Sequence, residues 1–350
     1  MSQIDTTPAS PTSQGNAMNG PDELLRLDPE TAVEEICTAL RTQVGEVLDR
    51  RGVVVAMSGG VDSSVSAALA TRAFGPRRVF GLFMPERDSD PQSLELASEL
   101  AAQLGIDTAL EDIGDALAAL RCYERRDEAI RRALPEYGPG WASKIVLPGA
   151  RLETDRLNVF YLAARSPDGS DHRVRLSATS YLEIVAATNF KQRVRKTLEY
   201  HHADRLHYAV VGTPNRLEYD QGFFVKGGDG LADVKPIAHL YKTQVYQLAR
   251  HLDVPCGIVE RPPTTDTYSL PQTQEEFYFS LPTATLDLVL FARDSGWTAE
   301  EAADCLGLGV DEVSRAYADI DQKRATTAYL HTHSLLVQPV PRHTAPRHTA

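Results

Sequence analysis

The chain has 350 residues, of which 42% are hydrophobic, and a formal net charge of −12 at pH 7. This length accommodates one large α/β domain or two ordinary ones, and no apolar run approaches the ~20 residues that span a bilayer. Because an acidic chain lacks the basic face that displaces counterions from phosphates, the composition disfavours a nucleic-acid partner.

The two ends of the chain and its cysteines indicate a reduced, cytoplasmic protein. The N-terminus lacks the basic and apolar pattern of a secretory signal, and we predict that residues 1–30 form a disordered arm. Residues 331–350, which end in the repeat "PRHTAPRHTA", are predicted to be a flexible tail. The cysteines are Cys37, Cys122, Cys256 and Cys305. They form no Cys-x-x-Cys pair, so we expect free thiols and no structural zinc.

Alternating helical and strand-like segments predict βαβ units in the first third of the chain. Residues 31–50 carry apolar side chains at helical spacing, with Thr31 as the expected N-cap. The run "GVVVAM" resembles a strand covered on both faces, and "RVFGLFMP" and "DTALEDI" are predicted to be the second and third strands. The helical segments "SVSAALATRAF", which stops at Gly75, and "PQSLELASELAAQLG" separate them. This order is typical of an α/β fold with a doubly wound parallel sheet.

The remaining two thirds add an insertion and a helical end. After a helical segment at 115–135, an insertion at about 136–180 is turn-rich, and "NVFYLAA" and "HRVRLSA" within it predict a hairpin or surface excursion. A long helix, the strand "HYAVVGT" and the helix "TQVYQLARHLDV" then complete an α/β domain over 31–270. Residues 271–330 are predicted to be a helical C-terminal region, whose "LGLG" bend joins packed helices rather than a DNA-binding pair because the face is acidic.

The stretch "SGGVDSS" at 58–64 joins the first strand to the next helix. Gly59 and Gly60 allow main-chain N–H groups to converge on a ligand, and the helix N-terminus adds further donors. Such a loop suits a pyrophosphate, and Asp62 would have a role there if Mg²⁺ bridged it to the phosphates. The alternative is a capping turn without a ligand. The spacing is neither that of the lysine-containing phosphate loop nor Gly-x-Gly-x-x-Gly.

This loop resembles that of the N-type ATP pyrophosphatases, and further motifs resemble the NAD synthetase family among them. These motifs are "NFKQRVR", "VVGTPNRLEYDQGFFVKGGDGLADVKPI", "LYKTQVYQLARHLDVP" and "RPPTTDTYSLPQTQEE". The resemblance extends over roughly residues 35–120 and 185–325. It implies a Rossmann-like fold of the adenine nucleotide alpha hydrolase type, and a homodimer.

The resemblance also implies an amide-forming reaction that consumes ATP with Mg²⁺. The nicotinate carboxylate of deamido-NAD is adenylated with release of pyrophosphate, and ammonia then displaces AMP to give NAD. The segment before Ser58 is too short for the amidase domain of some members. We therefore expect ammonia to arrive free or from a separate donor.

Site residues follow from matching the motifs position by position. ATP binding is implied for Ser58, Gly59, Gly60, Asp62, Ser63, Ser64, Thr213 and Lys242. Mg²⁺ ligation is implied for Asp62 and Glu218, and catalytic roles for Asp62, Lys226 and Lys242. Binding of the dinucleotide is implied for Asn189, Arg193, Arg195, Lys226, Asp229 and Lys323.

Departures from the family pattern lie on the side of the acceptor substrate rather than the ATP side. Gly227 stands where many relatives have an aromatic residue, Gln274 where they have Asp, and Gln322 where they have His. One alternative is therefore an amide ligase for another carboxylate, with ammonia or an amine, whose specificity the insertion sets. A non-catalytic ATP-binding protein is the third hypothesis, and the intact loop with both Asp62 and Glu218 argues against it.

Overall fold

The computed structural model describes residues 21–146, 160–262, 268–270, 278 and 281–340. Within these ranges no helix combines the length and the apolar character needed to cross a bilayer.

The elements follow the predicted alternation. The strands are β1 (Val53–Ala56), β2 (Val79–Phe83), β3 (Asp107–Leu110), β4 (Ala142–Val146), β5 (Tyr161–Arg165), β6 (Asp171–Arg175) and β7 (Ala209–Val211). The helices are α1 (Pro21–Leu24), α2 (Pro29–Arg41, continued by a π turn at Thr42–Val47), α3 (Val61–Phe74, followed by a 3₁₀ turn at Pro76–Arg78), α4 (Pro91–Leu104), α5 (Gly114–Ala119), α6 (Cys122–Arg131), α7 (Ala178–Leu206), α8 (Arg216–Gln221), α9 (Lys242–His251), α10 (Cys256–Val259), α11 (Thr283–Asp294), α12 (Ala299–Leu306) and α13 (Val310–His331).

The central sheet is parallel and has the order β3-β2-β1-β7. Val53 in β1 aligns with Val79 in β2 and with Ala209 in β7, so the carboxyl ends of these strands lie at one edge. In open α/β sheets ligands bind at this edge. The predicted parallel α/β architecture is confirmed.

Both faces of β1 are covered, which explains its uninterrupted apolar sequence, whereas the edge strand β3 is largely exposed. Val53 and Val55 belong to the core cluster shared with α2, α3, α4 and α9. Val54, between them, belongs to the opposite cluster with residues of α5, α6 and α7. Since successive strand side chains point to opposite faces, a strand buried on both sides must be apolar throughout.

Ordered packing begins before the predicted boundary at residue 30. Leu25 is buried against the C-terminal helices, and the Gln247 side chain donates to its carbonyl (3.0 Å). Asp28, rather than the predicted Thr31, caps α2. Its carboxylate accepts the N–H of Glu30 (3.1 Å), and Pro29 is the first residue of the helix. The rest of the predicted arm, residues 1–20, lies outside the described residues.

At the other end, the last helix runs to His331, and residues 332–340 have no regular structure. Residues 341–350 of the predicted tail lie outside the described residues.

The insertion forms its own antiparallel sheet of order β4-β5-β6. The predicted hairpin is confirmed as β5 and β6, whereas β4 lies in a stretch that was predicted to be turn-rich. The apolar inner face of the three-stranded sheet packs on α6 and α7. The helical segment predicted at 115–135 is two helices, separated by Arg121 with a φ of 55°.

The C-terminal helices α11, α12 and α13 have their own apolar core. Asp287 of α11 is fully buried and accepts the N–H groups of Lys242 (3.3 Å) and Thr243 (2.7 Å) at the start of α9. Burial raises the pKa of Asp287 to about 6, so the group is still ionised at neutral pH. One carboxylate therefore joins the helical region to the α/β domain.

Replacing Asp287 by Ala should lower the free energy of unfolding by about 2–4 kcal/mol at pH 7, because two buried N–H groups lose their acceptor. Urea denaturation of the variant measures this. Asp304→Ala, at an exposed position of α12, is the matched control and should change stability by less than ~0.5 kcal/mol. Equal effects of the two substitutions would contradict the proposed role of Asp287.

Candidate active site

The loop from Ser58 to Ser64 leaves β1 at the carboxyl edge of the sheet and leads into α3. Gly59 has a φ of 74°, and a Cβ there would lie 2.3 Å from the carbonyl oxygen of Ser93. Both the backbone conformation and the close approach therefore require glycine. Gly60 caps α3 without a side chain, which leaves the helix N-terminus open towards the cavity.

Serine hydroxyls hold this loop in shape. Ser63 Oγ accepts the N–H of Ser58 (3.2 Å) and donates to the carbonyl of Gly60 (2.9 Å). Ser64 Oγ donates to the same carbonyl (2.8 Å). These internal hydrogen bonds hold the loop in shape, and its N–H groups and helix dipole favour an anion.

Three distant segments meet around Asp62, at the start of α3. The ammonium group of Lys242 contacts Asp62 Oδ2, and Asn215 Nδ2 donates to Asp62 Oδ1 (3.2 Å). Asn215 also forms a capping box with Glu218: its Oδ1 accepts the N–H of Glu218 (3.2 Å), and Glu218 Oε2 accepts its N–H (3.2 Å). Asn215 therefore fixes both carboxylates relative to the loop.

Lys242 is only 2% exposed, which would ordinarily disfavour its charge. Although burial opposes ionisation, the carboxylates of Asp62 and Glu218 raise the pKa of Lys242. The ammonium group is therefore charged and offsets part of the negative charge of the two carboxylates.

Asp62 and Glu218 suit a magnesium ion that is shared with a substrate. Among the described residues, no group of three or more His, Cys, Asp or Glu side chains is placed to hold a metal. Mg²⁺ is commonly held by one or two carboxylates together with substrate phosphates, and both carboxylates line the cavity next to the phosphate-suited loop. The residues thus fit a metal that arrives with a nucleotide.

A cavity of about 610 Å³ brings most of the predicted site residues together. It is lined by Ser58, Gly59, Gly60, Asp62, Ser63, Asn189, Arg193, Arg195, Thr213, Glu218, Lys226, Asp229 and Lys242. Ser64 and Lys323 are not in this lining. Ser64 is buried behind the loop, and Lys323 donates to Asp319 Oδ2 (2.7 Å) and the Tyr278 carbonyl (2.8 Å).

The predicted acceptor side of the cavity is built on α7. Arg195 Nε donates to the carbonyl of Met84 (3.2 Å), just after β2, and Arg193 Nε donates to the carbonyl of Lys226 (3.3 Å). Lys226 Nζ in turn donates to the carbonyls of Tyr329 (2.6 Å) and Thr332 (3.0 Å). Lys226 thereby holds the end of α13 at the cavity wall.

Asp229 and a neighbouring ion pair add buried charge to this wall. Asp229 Oδ1 accepts the N–H of Val225 (2.7 Å), and burial raises the pKa of Asp229 in spite of that bond. Lys196 Nζ lies 2.6 Å from Glu199 Oε2, and burial likewise raises the pKa of Glu199 despite the lysine. Carboxyl groups in this wall therefore bind a proton more readily than exposed ones.

Sequence reasoning missed several of these residues. Asn215 had a usable signal, since an Asn three positions before a Glu is a capping-box pattern. The Lys196–Glu199 pair had a weaker one, its i,i+3 spacing on a helix. Lys191 donates to Glu86 Oε1 (2.8 Å) and Asp88 (2.9 Å) in a buried cluster between α7 and the segment after β2. Nothing local in the sequence predicts that cluster, because its partners lie more than a hundred positions apart.

Comparison with known proteins places the chain in a family. The sequence model of the NAD synthase family matches residues 32–133 and 170–327. The NH(3)-dependent NAD(+) synthetase of Rhizobium meliloti (strain 1021) is 57% identical over 318 residues, which cover 91% of this chain and 95% of that protein. The protein of the same name from Rhizobium rhizogenes (strain K84 / ATCC BAA-868) is 55% identical over 95% of this chain and 99% of its own length.

A solved structure shares the fold. The NH3-dependent NAD synthetase of Campylobacter jejuni has a TM-score of 0.59 and 20% identity over 89% of this chain and 100% of its own. With a family match over most of the chain and two relatives more than half identical to it, the chain belongs to the NAD synthase family.

Proposed function

We propose that this protein is an ammonia-dependent NAD synthetase, a carbon–nitrogen ligase that uses ATP. The observation that carries the proposal is the group formed by Asp62, Asn215, Glu218 and Lys242 beside the phosphate-suited loop. It provides an anion-binding loop, two carboxylates and one buried cation at a single cavity. The two Rhizobium relatives named for this activity support the same conclusion.

The first half of the reaction activates a poor electrophile. A carboxylate oxygen of the nicotinate group attacks the α-phosphorus of ATP. The bond between the α-phosphorus and the oxygen that bridges it to the β-phosphate breaks, and pyrophosphate leaves with the electron pair. Ser58 and the N-terminus of α3 would bind the departing pyrophosphate, while Ser63, whose hydroxyl donates to the Gly60 carbonyl, would keep the loop in shape. Lys242 would neutralise charge that develops there, since its side chain lines the same cavity.

Asp62 and Glu218 are the residues that would hold Mg²⁺ when ATP binds. The ion would supply neutralisation of the phosphate charges. Asn215 keeps both carboxylates in position through its three hydrogen bonds.

In the second half, ammonia attacks the acyl carbon of the adenylate, AMP leaves with the bonding electron pair, and the nitrogen loses a proton. The acyl-adenylate must be kept from water, which would return the carboxylate. The side chains of α7 and the end of α13 that line the cavity would shield this intermediate.

The wider setting is part of the same proposal. We infer a homodimer from the family resemblance, and ammonia that arrives free or from a separate donor protein. A cytoplasmic location is supported by the cysteines, since all four are free thiols.

The purified protein should release pyrophosphate from ATP and form NAD when given deamido-NAD, Mg²⁺ and ammonium. Mass spectrometry of the product and a pyrophosphate assay measure the two halves separately. Pyrophosphate release with other carboxylates but not with deamido-NAD would favour the alternative ligase. ATP binding without any pyrophosphate release would favour a non-catalytic protein.

Asp62→Asn should lower kcat for pyrophosphate release by at least about a hundredfold, because it removes a charge from a site built on charge balance. Steady-state kinetics measure the effect. Asp304→Asn, at an exposed position of α12 outside the cavity lining, is the control and should keep kcat within about twofold. Retention of activity in Asp62→Asn would remove Asp62 from the catalytic group.

Glu218→Gln should raise the Mg²⁺ concentration needed for half-maximal rate by about tenfold, since one of two anionic ligands is lost. Rates are measured over a Mg²⁺ series after removal of divalent cations by a chelator. Glu95→Gln, on the exposed face of α4, should leave this concentration unchanged. An unchanged Mg²⁺ requirement in Glu218→Gln would exclude Glu218 as a ligand.

A further inference from the structure

The inserted sheet contacts the segment 268–270, which lies between the α/β domain and the C-terminal helices in the sequence. Ser143 of β4 donates its N–H to Ser269 Oγ (2.9 Å), and its carbonyl accepts the N–H of Leu270 (3.2 Å). Both main-chain groups of Ser143 are therefore directed at this segment rather than at β5. The sheet fixes the position of the residues that precede and follow Ser269.

Tyr268 is the member of that segment that reaches the catalytic cavity. Its side chain is only 5% exposed and belongs to the apolar cluster of the insertion, together with Ile145 and Leu162 of the inserted sheet. It also lines the cavity and is hydrogen-bonded to Thr188 of α7. One residue thus belongs both to the core of the inserted sheet and to the cavity wall.

The neighbours of Tyr268 assign this wall to the acceptor side. Tyr181, Val185, Thr188 and Arg195 are spaced by three, four or seven positions on α7 and all line the cavity. Thr188 directly precedes Asn189, the first residue of the motif predicted to bind the dinucleotide. Tyr268 therefore lies beside that motif.

The ATP side has a separate attachment. Arg261 donates to Ser93 Oγ (2.9 Å) and Asp90 Oδ2 (2.7 Å), and Ser93 is the residue that approaches Gly59 of the phosphate-suited loop. Ser269 and Arg261 therefore bind different partners, so Ser269 can be substituted without removing a contact of Arg261.

We propose that the inserted sheet is a positioning element for the dinucleotide substrate, and that it acts by holding Tyr268 against α7 so that the ring forms part of the acceptor-binding wall. Strands β4 and β5 lie in the stretch 134–169 that the family model leaves unmatched. These two strands are thus an addition to the common NAD synthase chain, whereas β6 lies within the matched range 170–327. The proposal rests on the proposed function, because it concerns the acceptor of that reaction.

Kinetics of the full-length protein with deamido-NAD, ATP, Mg²⁺ and ammonium test the proposal. Tyr268→Ala should raise the KM for deamido-NAD about tenfold and Ser269→Ala about fivefold, with the KM for ATP within about twofold of wild type. Ser269→Thr keeps the hydroxyl acceptor and should restore the wild-type KM. Ser170→Ala, in the exposed turn between β5 and β6, is the control and should have no effect.

An unchanged KM for deamido-NAD in Tyr268→Ala, or an equal rise in the KM for ATP, would overturn the proposal. If Tyr268→Ala does not fold, as judged by its thermal unfolding, Ser269→Ala with its Thr rescue decides the question. The wild-type protein separates the two hypotheses. Absence of NAD formation by wild type refutes the proposed function, whereas wild-type activity with unaffected variants refutes only the role of the sheet.

Discussion

The contact between Asp62 and Lys242 is the constraint on which the site depends. Lys242 is almost fully buried, and an ammonium group in such surroundings is tolerated only when it is paired. Its partner lies 180 positions earlier in the chain, at the first turn of the helix that follows the phosphate-suited loop. The pairing therefore requires α9 and α3 to lie side by side, and it brings the cation to the place where phosphate charge would develop.

Other parts of the fold hold this pair in position. Asn215 bonds to Asp62 from the start of α8, and Asp287 accepts the main-chain N–H of Lys242 from α11. The helical C-terminal region is thus part of the support of the active site. A substitution in α11 can act on catalysis through the first turn of α9, without any contact to substrate.

The sequence was sufficient for the fold and for the position of the phosphate-suited loop, where local pattern determines structure. Ser58 and Asp62 lie between an apolar strand and a helix, as predicted. The sequence was insufficient to show which polar side chains bond to other protein groups instead of facing the cavity. Ser64 bonds to the Gly60 carbonyl, and Lys323 bonds to Asp319, because partners close in space compete with the cavity. Strand β4 was missed because its pairing with β5 spans a long separation.

Arg261 and Ser269, on either side of residues 262–268, are attached to different parts of the fold. Arg261 is tied to Ser93 beside the phosphate-suited loop, where any change of shape would disturb Gly59 and the binding of ATP. Ser269 is tied instead to Ser143 of an added sheet, which has its own apolar core and can vary without altering that loop. The proposed acceptor wall is therefore held separately from the phosphate-suited loop, and a change in the inserted sheet is expected to alter binding of the proposed acceptor through Tyr268 without altering the loop around Gly59.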